Sequence, residues 1–148
     1  MNIAPEPLPI RSNAQPTMLK LAHYGIGPQR AKAMLAPLRD MPSLKHLDLS
    51  DCRLDDAAVE SLVQAAAERP NGDGLSTANL SENRLGKKSV KAIHLLLQPS
   101  SSSHLCTLML EHCRLNDTIA ATLYASLGSN QTVKTLSLAH NALGASVK

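Results

Sequence analysis

The sequence predicts an α/β solenoid, a curved right-handed stack of strand and helix units with parallel strands on the concave side and helices on the convex side. Three observations carry that expectation. One leucine-bearing phrase recurs four times, as LKHLDLSDCRL from Leu44, LSTANLSENRL from Leu75, LCTLMLEHCRL from Leu105 and VKTLSLAHNAL from Val133. Within each phrase apolar and polar residues alternate, the period-two mark of a strand with one buried face. Between phrases the period lengthens to that of a helix: Val59, Leu62, Val63 and Ala66 fall at i, i+3, i+4 and i+7.

Taken in order, the units begin with a weaker copy, PTMLKLAHYGI from Pro16, which keeps Leu19, Leu21 and Ile26 but carries Tyr24 where the others have Cys or Asn. The steps between copies are 28, 31, 30 and 28 residues. After the second strand phrase comes the helical stripe named above. After the third come Val90, Ile93 and Leu97, and after the fourth Ala120, Leu123, Tyr124 and Leu127. Asp56 and Asp117 are expected to cap the helices they open. The returns are marked by ERPNGDG, QPSSSS and LGSN, rich in residues that end regular structure. Ala78 replaces a template leucine and is expected to thin the core there.

Two ends frame the repeats. Residues 1–15, MNIAPEPLPIRSNAQ, carry three prolines and no strand or helix period, so an extended lead-in is expected. Residues 16–148 form one domain of about five repeats, the last incomplete: it reaches LGASVK where its helix should begin. The expectation is a piece of a longer protein, or a chain completed by another.

A strand and helix pair cannot bury its apolar face alone, so neighbouring units must stack. Paired strands sit about 4.8 Å apart and packed helices about 8 to 10 Å, a mismatch that bends the stack with its strands inside. The shared template, LxxLxLxx(C/N)xL, resembles the leucine-rich-repeat family over residues 16–148. The repeat step and the alternation Cys52, Asn83, Cys113, Asn141 resemble its ribonuclease-inhibitor-like subtype, which also occurs in NOD-like receptors and intracellular scaffolds. The resemblance implies a non-enzymatic protein-interaction or scaffolding module that binds a partner protein through its concave strand face. Two alternatives stay open: a permanent structural subunit of a cytoskeletal, axonemal or organellar assembly, and a regulatory fragment of a GTPase regulator or NOD-like receptor.

Composition narrows the partners. With two tyrosines and neither Phe nor Trp among 148 residues, the core must be built from Leu, Ile, Val and Ala. The net charge of +3 comes from dispersed lysines and arginines and argues against a nucleic-acid partner. No apolar run approaches the roughly 18 residues of a membrane span, and the start lacks the order of a signal peptide. A cytoplasmic setting is expected, with cytoskeletal or organellar association open. Three cysteines without a CxxC pair agree with a reducing compartment. The sequons at Asn79, Asn116 and Asn130 are then read as chance.

Stacking should turn the non-leucine strand positions into columns on the concave face. Met18, His46, Thr77, Thr107 and Thr135 make the first, and Lys20, Asp48, Asn79, Met109 and Ser137 the second. Ala22, Ser50, Ser81, Glu111 and Ala139 make the third; His23, Asp51, Glu82, His112 and His140 make a fourth at the strand ends. From these the expected partner contacts are His46, Asp48, Asp51, Asn79, Glu82, Met109, Glu111, His112 and His140. The fourth column holds ligand types of a metal site, but side chains on parallel rungs do not converge on one point at about 2 Å, so no metal is expected. Cys52 and Cys113 are read as turn residues bonding the backbone, and Cys106 as an incidental thiol near the surface. No GxSxG, HExxH or phosphate-cradling glycine loop is present, and neither an enzyme nor a cofactor is expected. Lys87, Lys88 and Lys91 are expected to open a helix on the convex side as a solvated face.

Overall fold

In the computed structural model the described residues are 17–41, 43–68, 75–97, 105–128 and 130–141. The expected lead-in at 1–15 and the LGASVK end lie outside them. Five three-residue strands, β1 (Met18–Lys20), β2 (His46–Asp48), β3 (Thr77–Asn79), β4 (Thr107–Met109) and β5 (Thr135–Ser137), pair in sequence order into one parallel sheet. Helices α1 (Gly27–Ala33), α2 (Leu35–Arg39), α3 (Asp56–Ala67), α4 (Lys87–Leu96) and α5 (Asp117–Leu127) fill the connections. A strand followed by a crossover to a parallel neighbour turns right-handed for steric reasons, and repeating that step makes a solenoid.

The leucines form the interior. Leu47, Leu49, Leu80, Leu108 and Leu110 are at most 1 % exposed, and Ala78 is as well buried between Leu47 and Leu108 as a leucine would be. From the other side come Val59, Leu62 and Val63 of α3 and Val90 and Ile93 of α4, all buried. Each fully buried aliphatic side chain contributes roughly 1.5 to 3 kcal/mol against remaining in water, so this ladder dominates the stability. The stripe on α5 is less complete: Leu123 is buried, whereas Tyr124 and Leu127 are half-buried, as are Leu136 of β5 and Leu138 just after it.

Two local features depart from expectation. The first unit carries two short helices that meet at Met34 instead of one. Pro37 explains the break, because it has no amide proton to give the Ala33 carbonyl and its ring crowds that oxygen; three residues into a new helix it is harmless. The second departure corrects the capping assignment. Asp55, not Asp56, caps α3 by accepting the Ala58 amide at 2.9 Å, and Asn116, not Asp117, caps α5 by accepting the Ile119 amide at 3.0 Å.

Asp56 instead reaches across to the next unit. Its carboxylate accepts the Gly86 and Ser89 amides at 2.8 Å and the Lys88 amide at 3.2 Å, and the Ser89 hydroxyl also donates to it. Burial alone would raise the Asp56 pKa, but these four donors together hold it below the usual carboxylate value. The approach is so close that a β-carbon on residue 86 would lie 2.8 Å from an Asp56 oxygen, which is why glycine stands there. Helix α4, opened by Lys87 and Lys88 as expected, is thus capped by its neighbour.

Candidate functional site

The strand register places the expected columns side by side. Met18, His46, Thr77, Thr107 and Thr135 are successive partners across the sheet, and so are Lys20, Asp48, Asn79, Met109 and Ser137. In β2, β3 and β4 the middle residue is buried and its two neighbours are partly exposed, so these two columns face away from the leucine core. Of the expected contacts, His46, Asp48, Asn79 and Met109 occupy this strand face.

Several of these side chains are engaged within the molecule. The Asp48 carboxylate accepts the Ser50 amide at 3.0 Å and the Ser50 hydroxyl at 2.7 Å. The Asn79 carbonyl oxygen accepts the Ser81 amide at 3.1 Å, closing the same turn one rung later. His46 Nδ1 lies 2.9 Å from the Thr77 hydroxyl, a bond between rungs. These bonds fix the rotamers of His46, Thr77, Asp48 and Asn79, so that part of the face is ordered before anything binds it.

The third column does not face outward as a whole. Ser50 and Ser81 are only 8 % and 7 % exposed, and the Ser81 hydroxyl accepts the Glu111 amide at 3.0 Å. The next residues, His23, Asp51, Glu82, His112 and His140, all have left-handed backbone, with φ between 50° and 65°, which turns the chain sharply at the end of each strand. Glu111 remains partly exposed, while Glu82, His112 and His140 project from the rim.

Along that rim neighbouring rungs interact in pairs. His23 Nδ1 meets an Asp51 oxygen at 2.8 Å, and this bond raises the imidazole pKa above its ordinary value. At the other end the His112 and His140 rings stack with centroids 4.3 Å apart and planes within 10°. Among the described residues no group of three or more His, Cys, Asp or Glu is placed to hold a metal ion.

Cys52 and Cys113 are buried, with thiols that donate to the backbone: Cys52 to the Leu21 carbonyl at 2.9 Å, Cys113 to the Leu80 carbonyl at 3.3 Å. Burial pushes their pKa values up to about 11 and about 12, which favours the neutral thiol at neutral pH.

One row escaped the sequence reading. Arg53, Arg84 and Arg114, each directly after the turn Cys or Asn, are exposed and line one groove with Asp51, Asp55 and Glu82. The signal was visible as CRL, NRL and CRL at one template position, but columns were sought only on the strands.

Comparison with known proteins agrees with this architecture. A family model described as Leucine Rich repeat matches residues 40–63 and 129–146. The chain is 33 % identical over 131 residues to Tonsoku-like protein of Mus musculus, an alignment covering 86 % of this chain and 10 % of that protein. Likeness to the Bos taurus Tonsoku-like protein is 31 % over 130 residues, 85 % of this chain and 9 % of that one. RAN GTPase-activating protein 2 of Arabidopsis thaliana is 39 % identical over 82 residues, covering 53 % of this chain and 15 % of its own length. The chain thus spans about a tenth of the Tonsoku-like relatives it matches. Among solved structures, Leiomodin-1 Actin-Binding Site 2 superposes with a TM-score of 0.65 at 17 % identity, over 82 % of this chain and 69 % of that one, a likeness of fold. No helix among the described residues is long and apolar enough to cross a membrane. The leucine ladder, the five-stranded parallel sheet and these matches together make the chain a leucine-rich-repeat protein.

Proposed function

We propose that this chain is a non-enzymatic protein-interaction module of the ribonuclease-inhibitor-like subtype, cytoplasmic, which presents its concave strand face to a partner protein. The observation that carries the reading is the register: two columns of polar and apolar side chains run unbroken across the sheet, with His46, Thr77, Asp48 and Asn79 held by their own hydrogen bonds. A surface ordered before binding loses little entropy on contact. The subtype is supported by the 28 to 31 residue step and by the Cys and Asn alternation in the turns. Holding the two turn thiols as neutral backbone donors leaves them without nucleophilic use, which supports a binding role. His46, Asp48, Asn79, Met109 and Glu111 are the central contacts of this reading, with Asp51, Glu82, His112 and His140 at its edge.

The test is charge reversal. A partner recovered by proximity labelling in cells is purified, and its affinity is measured for the chain and for the variant carrying Asp48→Lys, Glu82→Lys and Glu111→Lys. A loss of tenfold or more is expected; unchanged affinity sinks the strand-face reading. A second reading, a segment of a GTPase regulator, is favoured by the likeness to RAN GTPase-activating protein 2. It requires the chain to alter GTP hydrolysis by a small GTPase, and an unaltered rate removes it.

A further inference from the structure

The arginine row differs from the strand columns in charge and in how it is held. Arg53, Arg84 and Arg114 occupy one position in three successive turns. Arg53 and Arg114 have left-handed backbone at φ 58° and 61°, so the turn fixes where each side chain starts. Arg53 lies over Gly25, the residue at its own position one rung earlier, with Nε 3.7 Å from where a β-carbon would sit. A groove of about 540 Å³ runs beside the row, with Asp51, Asp55 and Glu82 also along it. Opposite charges therefore share one groove, yet among the described residues the salt bridge found joins His23 to Asp51 and none involves these arginines. Three guanidinium groups, each with five donors in a planar fork suited to carboxylates, thus have no acidic partner among the described residues.

We propose that this rim groove docks a helical segment of a partner protein that sets a row of carboxylates against Arg53, Arg84 and Arg114 and basic side chains against Asp51 and Glu82. The proposal rests on the chain being a protein-binding module, but not on the strand face being its contact. Spacing selects the helix. Two steps along the stack cover about 9.6 Å at the strand spacing, and residues i, i+3 and i+7 of a helix cover about 10.5 Å along its axis. Same-side residues of an extended chain would cover about 13 Å over two steps, a looser match to the row. Charge selects a protein over a nucleic acid. A phosphate backbone is anionic throughout and would meet Asp51, Asp55 and Glu82 as well as the arginines, whereas a mixed-charge helix satisfies both sides of the groove.

The probe is a fluorescein-labelled, end-capped alanine-based helical peptide with Glu at i, i+3 and i+7 and Lys along the adjacent stripe, titrated with the chain by fluorescence anisotropy at 0.05 and 0.15 M salt. Saturable binding is expected, weakened at least tenfold by the triple substitution Arg53→Gln, Arg84→Gln, Arg114→Gln, weakened similarly when the peptide's Glu become Gln, and weaker at the higher salt. The single variant Arg84→Glu should lose affinity and regain it with a peptide whose central Glu is Lys, which decides the matter should the triple variant lose its circular-dichroism signature. The strand-face variants His46→Ala and Met109→Ala should bind the peptide unchanged. Equal binding by the triple variant, no rescue in the charge swap, or tighter binding of a single-stranded thymidine oligonucleotide would each overturn the proposal. Loss of binding in the strand-face variants alone would overturn it too, while leaving the strand-face reading standing.

Discussion

The Asn turns and the Cys turns occupy the same template position and do different work. Asn83 accepts the amides of Cys52 and Leu54 at 3.2 and 3.0 Å and donates to the Leu49, Leu80 and Ser81 carbonyls. Asn141 repeats the pattern one pair of rungs later, accepting from Cys113 and Leu115 and donating to Leu110, Leu138 and Ala139. A thiol has no strong acceptor and one weak donor, so each Cys turn supplies carbonyl bonds only, and its own amides depend on the asparagine that follows. The Asn83 turn has amides met by main chain instead: Leu85 donates to the Cys113 carbonyl at 3.2 Å and Arg84 to the Leu54 carbonyl at 3.0 Å. The alternation is therefore a two-rung unit, in which asparagine bridges toward the preceding turn and cysteine fills a space too dry for a charge.

The comparison is broken most severely by Asn83→Ala. It leaves two buried amides and the Leu49 carbonyl without partners, at about 1 to 3 kcal/mol for each unmet group, so a loss of roughly 3 kcal/mol or more is expected in urea unfolding. Equal losses for Asn83→Ala and Cys113→Ala would show that the two turns are equivalent after all.

Next comes Asp56→Ala, which uncaps α4 from the neighbouring unit and should cost about 1 to 2 kcal/mol. Its pH dependence has a definite sign. The folded pKa is lowered, so the stability Asp56 contributes is present above the unfolded carboxylate value and fades as pH falls through the folded value. Urea unfolding below about pH 4 should therefore show the wild-type advantage over Asp56→Ala shrinking.

Cys113→Ala should cost only about 1 kcal/mol, since it removes weak donors and a little volume. The same asymmetry governs reactivity. With pKa values near 11 and 12, Cys52 and Cys113 should resist iodoacetamide in the native state, and Cys106, partly exposed, should be alkylated first. Labelling of Cys52 at the Cys106 rate would contradict the buried, neutral thiol.

The smallest effect belongs to the exposed rim. Asp51→Asn should leave the melting temperature unchanged while the His23 imidazole, titrated by NMR, moves back down toward its ordinary pKa. A His23 titration indifferent to that change would mean the 2.8 Å pair does not persist in solution.

The leucine frame was legible because burial on a stack imposes one period on every unit. Equal templates also implied equal register, so the first two columns could be written down from spacing alone and hold in the sheet. The expected caps, Asp56 and Asp117, each lie one residue past the observed ones, Asp55 and Asn116, because neighbouring polar residues at a helix start compete equally in sequence. What decides between Asp55 and Asp56 is the start of α4, some 30 residues away, which draws the second carboxylate across the gap. The arginine row lies past the strand columns, where the repeat places Arg53, Arg84 and Arg114 at one position but strand alternation says nothing of which way they face.

Thus the sequence by itself determined the stacking of strand and helix units and which side chains lie inside, since apolar period and repeat step are properties of the chain read along its length. Only the tertiary structure decided which turn bonds which, that Ser50 and Ser81 turn inward, and that three arginines stand beside Asp51 and Glu82 without a salt bridge among the described residues. Those outcomes depend on left-handed turns and on contacts between residues about one repeat apart, and such contacts exist only once the rungs are stacked.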